Sequence, residues 1–179
     1  MENDKDVTKK KISNKKRISL FIIGTIAFAV GFGTLSFYGY RKISREIQRH
    51  KLLAENPVIE IPDLKIKAPV LEGTDNKTLS IAVGHFEDTG EIGSGNYCIA
   101  GHSSTIYKEY FNNLKNIEIG MKINLYDKNK NLYEYSVTEN FIVNPEDVWI
   151  LDDYGDNRVT VVTCTDDGTQ RQVVVGTKN

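Results

Sequence analysis

Of the two cysteines in this 179-residue chain, one sits where a nucleophile would. Cys164 closes the β-branched run Val159-Thr160-Val161-Val162-Thr163, and the polar segment Thr165–Gln170 follows it. A strand end beside a loop is where a side chain meets a substrate. The competing reading is a buried, inert thiol, the usual state of a free cysteine. Arg171 opens the next strand-like run. If the intervening loop joins a hairpin, Cys164 and Arg171 lie on neighbouring strands. A guanidinium there favours the thiolate and donates hydrogen bonds to an oxyanion. The bland alternative is a surface arginine paired with Asp166 or Asp167. His102 follows Ile99-Ala100-Gly101, again at a strand end. An imidazole there would serve as acid and base for a thiol. Three chemically matched groups thus fall at strand ends.

Other residues bear on the same site. Thr163 precedes the thiol and, by strand alternation, points to the other face, where it would help shape a substrate site. His85, in Ala82-Val83-Gly84-His85-Phe86, either lines a substrate groove or closes a loop. His50 lies in a basic stretch. Cys98 sits mid-strand in Tyr97-Cys98-Ile99 and reads as a small buried side chain. A Cys98–Cys164 disulfide would consume the nucleophile.

The elements that position these residues read as short strands. Leu64 and Ile66 alternate with Lys65 and Lys67; Met121, Ile123 and Leu125 with Lys122 and Asn124; Tyr133, Tyr135 and Val137 with Glu134, Ser136 and Thr138. Period-two alternation marks strands with one buried face. Val58–Ile61, Tyr97–Ala100, Val159–Thr163 and Gln172–Val175 are apolar or β-branched runs between turn residues. Asp127–Asn131 is a polar hairpin turn. Helix signals are few: Asp75 or Asn76 caps a turn or two through Ala82. Asn144-Pro145-Glu146-Asp147 predicts a short helix to about Leu151 with Pro at its first position. Seven or eight short strands with few helices point to a mainly β fold, a closed barrel or a sandwich.

The N-terminal third differs from the rest. Residues 1–17 hold seven Lys/Arg against three Asp/Glu, and Ile18–Tyr40 runs 23 residues without a charge. A helix of that length spans about 34 Å, enough for a hydrocarbon core of about 30 Å. The run is too long for a cleaved signal peptide, and it leads straight into Arg41 and Lys42. It reads as a transmembrane signal anchor. Five Lys/Arg follow within 41–51, so the flank count favours the N-terminus inside by a small margin. Residues 41–55 carry Ile43, Ile47, Leu52 and Leu53 among charges and read as a juxtamembrane linker, either a helix or a disordered spacer. From residue 56 onward, 19 Asp/Glu outnumber 11 Lys/Arg. The expected map is a basic cytoplasmic tail (1–17), a span (18–40), a linker (41–55) and one extracellular domain (56–179).

The overall charge of −1 argues against a nucleic-acid partner. Two cysteines exclude both a disulfide scaffold and a Cys-rich zinc site. Glu87, Asp88 and Glu91 form one acidic loop, and Asp152, Asp153 and Asp156 another. Calcium needs several converging oxygens, and these clusters read as solvated loops, with no metal assigned and no cofactor required.

The motifs taken together resemble a known family. Asn96-Tyr97-Cys98-Ile99-Ala100-Gly101-His102, Thr160-Val161-Val162-Thr163-Cys164 and Arg171 are similar to the three catalytic motifs of sortases, the membrane-anchored cysteine transpeptidases of Gram-positive bacteria. The stretch Ile59–Gly73 and Gly84-His85 before a Gly-rich loop are also sortase-like. The likeness covers about residues 56–177 and leans to class A or class D. One departure is Val161, where the family has Leu. The resemblance implies a closed seven- to eight-stranded β-barrel and supports the N-inside orientation. It implies that Cys164 attacks the Thr carbonyl of a Leu-Pro-x-Thr-Gly-like sorting signal and forms a thioacyl enzyme. Arg171 would hold the oxyanion and His102 would move the protons. A peptidoglycan precursor or cross-bridge amine would resolve the thioester.

Two readings compete with it. A membrane-tethered β-domain that binds wall peptides without catalysis would carry an inert Cys164. A papain-like protease would place its nucleophile early, on a helix, with the histidine downstream; here His102 comes first and the cysteine follows a strand.

Overall fold

The computed structural model describes residues 14–104 and 109–178. The chain divides into two compact units, the second beginning at Gln48. One helix, α1 (Asn14–Glu55, 42 residues), carries the uncharged run. Its apolar side chains, among them Phe21, Phe28, Phe32 and Leu35, are exposed around the helix. Both threonine hydroxyls within the run are paired along the helix: Thr25 Oγ1 donates to the Phe21 carbonyl (2.9 Å) and Thr34 Oγ1 to that of Gly31 (2.8 Å). An apolar helix whose threonine hydroxyls bond its own backbone suits a lipid environment. One 18-residue window has a mean hydropathy of 1.8. The basic tail expected over 1–17 lies, as far as residue 13, outside the described residues.

Residues 41–55 are helical throughout as the end of α1, so of the two linker readings the helix is the one found. Its last turns belong to the second unit. Arg49 lies over the Tyr110 ring at 5.6 Å and donates to the Lys67 carbonyl (3.4 Å). Lys130 Nζ caps the helix end by donating to the carbonyls of Leu53 and Asn56, both at 3.0 Å.

The second unit is a closed eight-stranded barrel, as the resemblance implied and as one of the two architectures the sequence pattern left open. Its strands are β1 (Val58–Ile61), β2 (Ile66–Glu72), β3 (Val83–His85), β4 (Asn96–Ala100), β5 (Lys122–Tyr126), β6 (Leu132–Val143), β7 (Arg158–Cys164) and β8 (Arg171–Thr177). Around the barrel they run β1-β2-β3-β4-β7-β8-β6-β5. Closure leaves no open sheet edge. β4 and β7 pair in parallel, as do β2 and β3; the other pairs are antiparallel.

Alternation puts Ile59, Ile61, Ile99, Ile123, Leu125, Tyr135, Val159, Val161 and Val174 into the barrel interior, all fully buried. Each such aliphatic side chain contributes about 1.5–3 kcal/mol by leaving water. Phe111 and Leu114, from the segment after β4, join this core. A second cluster, Val143, Ile150, Val162, Val173 and Val175, lies on the outer face of β6, β7 and β8. The loop between β6 and β7 supplies Ile150 and Leu151 to it.

Three local expectations change. Leu64 lies in a short 3₁₀ turn, Pro62–Leu64, and Lys65 is left-handed (φ 55°), so β2 starts at Ile66. Proline at the first turn position and an isolated αL residue end the alternation there. Val83–His85, read as the segment after a helix, is a strand between β2 and β4. The helix expected from Pro145 is instead a 3₁₀ turn at Val148–Leu151. The Asp147 carboxylate accepts the Asn144 N–H (2.8 Å) and closes a separate turn first. Of the two expected caps Asp75 is the one found, its carboxylate accepting from the Lys77 and Thr78 N–H groups, but the helix α2 (Asn76–Leu79) ends short of Ala82.

Candidate active site

Strand register decides which side chains meet. Across β4, β7 and β8, Ala100 pairs with Val162 and Val162 with Val173; two residues on, Cys164 pairs with Arg171. Cross-strand partners share a face, so Cys164 and Arg171 lie on the outer face, continuing the row above Val162 and Val173. The chain stays beside β7 past the end of β4. Gly101 N donates to the Val162 carbonyl (3.1 Å), Thr163 Oγ1 to the Gly101 carbonyl (2.8 Å) and Ser103 Oγ to the Cys164 carbonyl (2.8 Å). These bonds keep the segment just past β4 beside β7, so the His102 backbone lies near the level of Cys164. Histidine, cysteine and arginine therefore come from three neighbouring segments: the stretch just past β4, the end of β7 and the start of β8.

Glycine is needed at position 101. A Cβ there would stand 2.5 Å from the Phe111 ring and 3.0 Å from Val83. That close approach lets Phe111 N donate to the His102 carbonyl (3.2 Å). The His102 backbone is thus held from β7 on one side and from the Phe111 turn on the other.

The β7–β8 loop is braced by one carboxylate. Asp167 accepts from Thr165 Oγ1 (2.6 Å), Thr169 Oγ1 (2.8 Å) and Thr169 N (3.1 Å). Hydrogen bonds to the charged form hold its carboxyl at about 2, below the usual range. Gly168 takes φ 73° at the loop tip. Asp166 pairs with Lys115 at 2.9 Å. With Asp166 and Asp167 so engaged, Arg171 turns to the loop backbone, where Nη1 donates to Gln170 O (3.1 Å) and Gly168 O (3.4 Å). A guanidinium has five N–H donors, so this bracing does not exhaust it.

The two thiols differ. Cys98 is fully buried, and burial pushes its thiol up to about 12. Its Sγ lies 3.5 Å from the Asn96 carbonyl. Cys164 is partly exposed; neither forms a disulfide. A cavity of about 360 Å³ opens beside Cys164, bordered also by Thr163, Gln172, Lys115 and Asp166.

Thr163 faces the interior, opposite Cys164, and is 4% exposed. It borders the cavity, while its hydroxyl is committed to Gly101. His85 is not brought to Cys164. Its ring is buried, Nδ1 meets Glu72 Oε2 (2.9 Å), and Nε2 meets Thr89 Oγ1 (3.0 Å) and the Gly90 carbonyl (3.1 Å). It stacks on Tyr97 at 4.2 Å. Of its two expected settings, a groove or a loop closure, the geometry is that of a loop closure. Among the described residues, no group of three or more His, Cys, Asp or Glu is placed to hold a metal ion.

Sequence reading placed Asn96 in the motif that ends at His102 but gave it no role. Buried at the start of β4, its Nδ2 donates to the carbonyls of Ile150 (3.1 Å) and Asp152 (2.9 Å), and its Oδ1 accepts from Thr160 Oγ1 (2.7 Å). It fastens the β6–β7 loop over the outer face. The available signal was an asparagine leading directly into an apolar strand.

A sortase-domain family model matches residues 59–179. Sortase A of Bacillus anthracis is 34% identical over 120 residues, covering 66% of this chain and 57% of that protein. Sortase A of Streptococcus agalactiae is 34% identical over 142 residues, covering 74% and 56%. The chain thus spans little more than half the length of these relatives. Among solved structures, Listeria monocytogenes sortase A is similar at TM-score 0.65 and 30% identity, covering 70% of this chain and 88% of that one. A Clostridium perfringens sortase D5 transpeptidase is similar at TM-score 0.63 and 30% identity, covering 75% and 88%. With the barrel, the strand-end cysteine and a family match over most of the second unit, the chain belongs to the sortase family.

Proposed function

We propose that this chain is a membrane-anchored cysteine transpeptidase that cleaves a Leu-Pro-x-Thr-Gly-like sorting signal between Thr and Gly and joins the new Thr carboxyl to a peptidoglycan amine. The observation that carries the reading is the common outer-face row of Cys164 and Arg171, extended to His102 by the bonds past β4. The Cys164 thiolate attacks the Thr carbonyl. Arg171 donates to the oxyanion as it forms. The C–N bond breaks as His102 protonates the departing glycine amine. An incoming amine then attacks the thioester, gives up its proton to His102 and releases the thiolate. Water in place of the amine gives hydrolysis.

The domain map follows the same reading. Residues 1–17 form a cytoplasmic tail, 18–40 the span, 41–55 the helical lead and 56–179 the catalytic domain on the extracellular face. The exposed apolar helix and the Lys/Arg excess before it support that orientation.

The test is a quenched peptide carrying the sorting motif, offered with an amine acceptor to the full chain in detergent. Cleavage after Thr and an amine-trapped product are expected, with no turnover by Cys164→Ala. Turnover that survives this substitution would refute the mechanism.

A further inference from the structure

The outer face of the barrel carries a row of side chains along β7. Alternation points Cys164, Val162 and Thr160 the same way. Thr160 stands four residues back from the thiol, about 13 Å along the strand. β4 supplies the neighbouring row of Ala100, Cys98 and Asn96, paired in register with Val162, Thr160 and Arg158. The face thus has a chemical end, at Cys164 and Arg171, and a far end, at Thr160 and Asn96.

The β6–β7 loop meets the far end. Its Ile150 and Leu151 pack with Val162, Val173 and Val175. They belong to the 3₁₀ turn Val148–Leu151, which has no side-chain cap at its start. One such turn has little stability of its own and needs an outside hold. Asn96 provides it. Its Nδ2 carries two protons, and both are used, on Ile150 O (3.1 Å) and Asp152 O (2.9 Å). Carbonyl oxygens can only accept, so the amide nitrogen must face the loop. That leaves Oδ1 to accept from Thr160 Oγ1 (2.7 Å). Asn96 and Thr160 are each 1% exposed, so water does not compete for these bonds.

We propose that Asn96 is a positioning residue for the acyl donor: it latches the Val148–Leu151 turn over the far end of the Cys164 row and so sets how tightly the donor peptide is held. This rests on the functional reading proposed above, with the donor's scissile carbonyl at Cys164. A donor laid along the row spans it in about four residues. The segment before the scissile bond then lies beside the latched turn. The bonds that hold the chemical end, at Gly101, Ser103 and Gln170, do not involve Asn96. Loss of the latch therefore acts on KM and spares kcat.

The test is steady-state cleavage of a quenched sorting-motif peptide by the full chain in detergent, with acrylamide quenching of Trp149 on the same preparations. Trp149 is the chain's one tryptophan; it precedes Ile150 in the latched turn and stacks on Phe141 at 5.8 Å. Asn96→Asp keeps the size and the acceptor for Thr160 but removes both donors to the loop. It is expected to raise KM about tenfold, leave kcat within about twofold, and make Trp149 easier to quench. Asn96→Ser is expected to do the same and serves where Asn96→Asp folds poorly. Thr160→Val removes the hydroxyl but leaves Nδ2 facing the loop. It is expected to lower the melting temperature by a few degrees, with KM within about twofold of wild type. Unchanged KM or unchanged Trp149 quenching in the Asn96 variants overturns the proposal, as does a loss confined to kcat. So does a Thr160→Val KM as high as that of Asn96→Asp, which would mark general loosening of the barrel. If wild type cleaves no sorting-motif peptide, the functional reading falls and this one with it, while the Trp149 arm still reads the latch by itself.

Discussion

The hydroxyl of Ser103 donates to the carbonyl of Cys164 at 2.8 Å, across 61 residues of sequence. It ties the residue after His102 to the backbone of the thiol. Ser103→Ala keeps the His102 and Cys164 side chains but frees the His102 turn. The expected result is a kcat/KM lowered about tenfold, with thermal stability reduced by about 1 kcal/mol, the scale of one hydrogen bond. Steady-state kinetics and thermal melts on the same preparation check it. Unchanged kcat/KM would mean that the bond does not position His102.

Thr163 works from the opposite face. Thr163→Val preserves the branched shape and removes the donor to the Gly101 carbonyl. A buried carbonyl that loses its partner costs about 1–3 kcal/mol. Denaturant titration is expected to show that loss with an unchanged m-value. A stability equal to wild type would show that Gly101 does not depend on this bond.

The loop brace has a pH signature. The folded Asp167 carboxyl sits at about 2, below its unfolded value near 3.9. Its bracing contribution is therefore complete above about pH 4 and is lost as pH falls through about 2. The Thr169 amide, which donates to Asp167, should report this titration by NMR with a midpoint near 2. A midpoint near 4 would show that the three hydrogen bonds do not hold the carboxylate.

The two cysteines should separate cleanly under alkylation. Cys98 is fully buried with its thiol raised to about 12, so iodoacetamide is expected to modify Cys164 alone in the native chain. Both should react after denaturation. Native labelling of Cys98 at a comparable rate would contradict the burial and the assignment of Cys164 as the reactive thiol.

What the sequence displayed was local. The alternation of Tyr133, Tyr135 and Val137 marked part of β6, and the Val159–Thr163 run marked β7. β3 escaped because three residues containing Gly84 carry no usable period. Gly84 is required there because a Cβ would collide with the Gly73 carbonyl oxygen. Cys164, His102 and Arg171 stood out because each ends or begins a strand run. Their alignment depends on the parallel pairing of β4 with β7, which no short window contains. The same limit hid Asn96, whose partners Ile150 and Asp152 are 54 and 56 residues away. It also hid the Lys115–Asp166 pair, 51 residues apart. His85 was visible as a residue type, but Glu72 and Thr89, which enclose it, become its neighbours only through β2–β3 pairing and the following turn.

Cys164 as the acyl carrier is the central claim, and intact-mass and peptide-mapping mass spectrometry test it most directly. The full chain is mixed with a Leu-Pro-x-Thr-Gly peptide, without an amine acceptor, and quenched in acid to preserve a thioester. The account predicts an adduct with the mass of the peptide fragment ending at Thr, carried on the tryptic segment Val159–Arg171 at Cys164. No adduct while the peptide is being cleaved, or an adduct on Cys98, would contradict it.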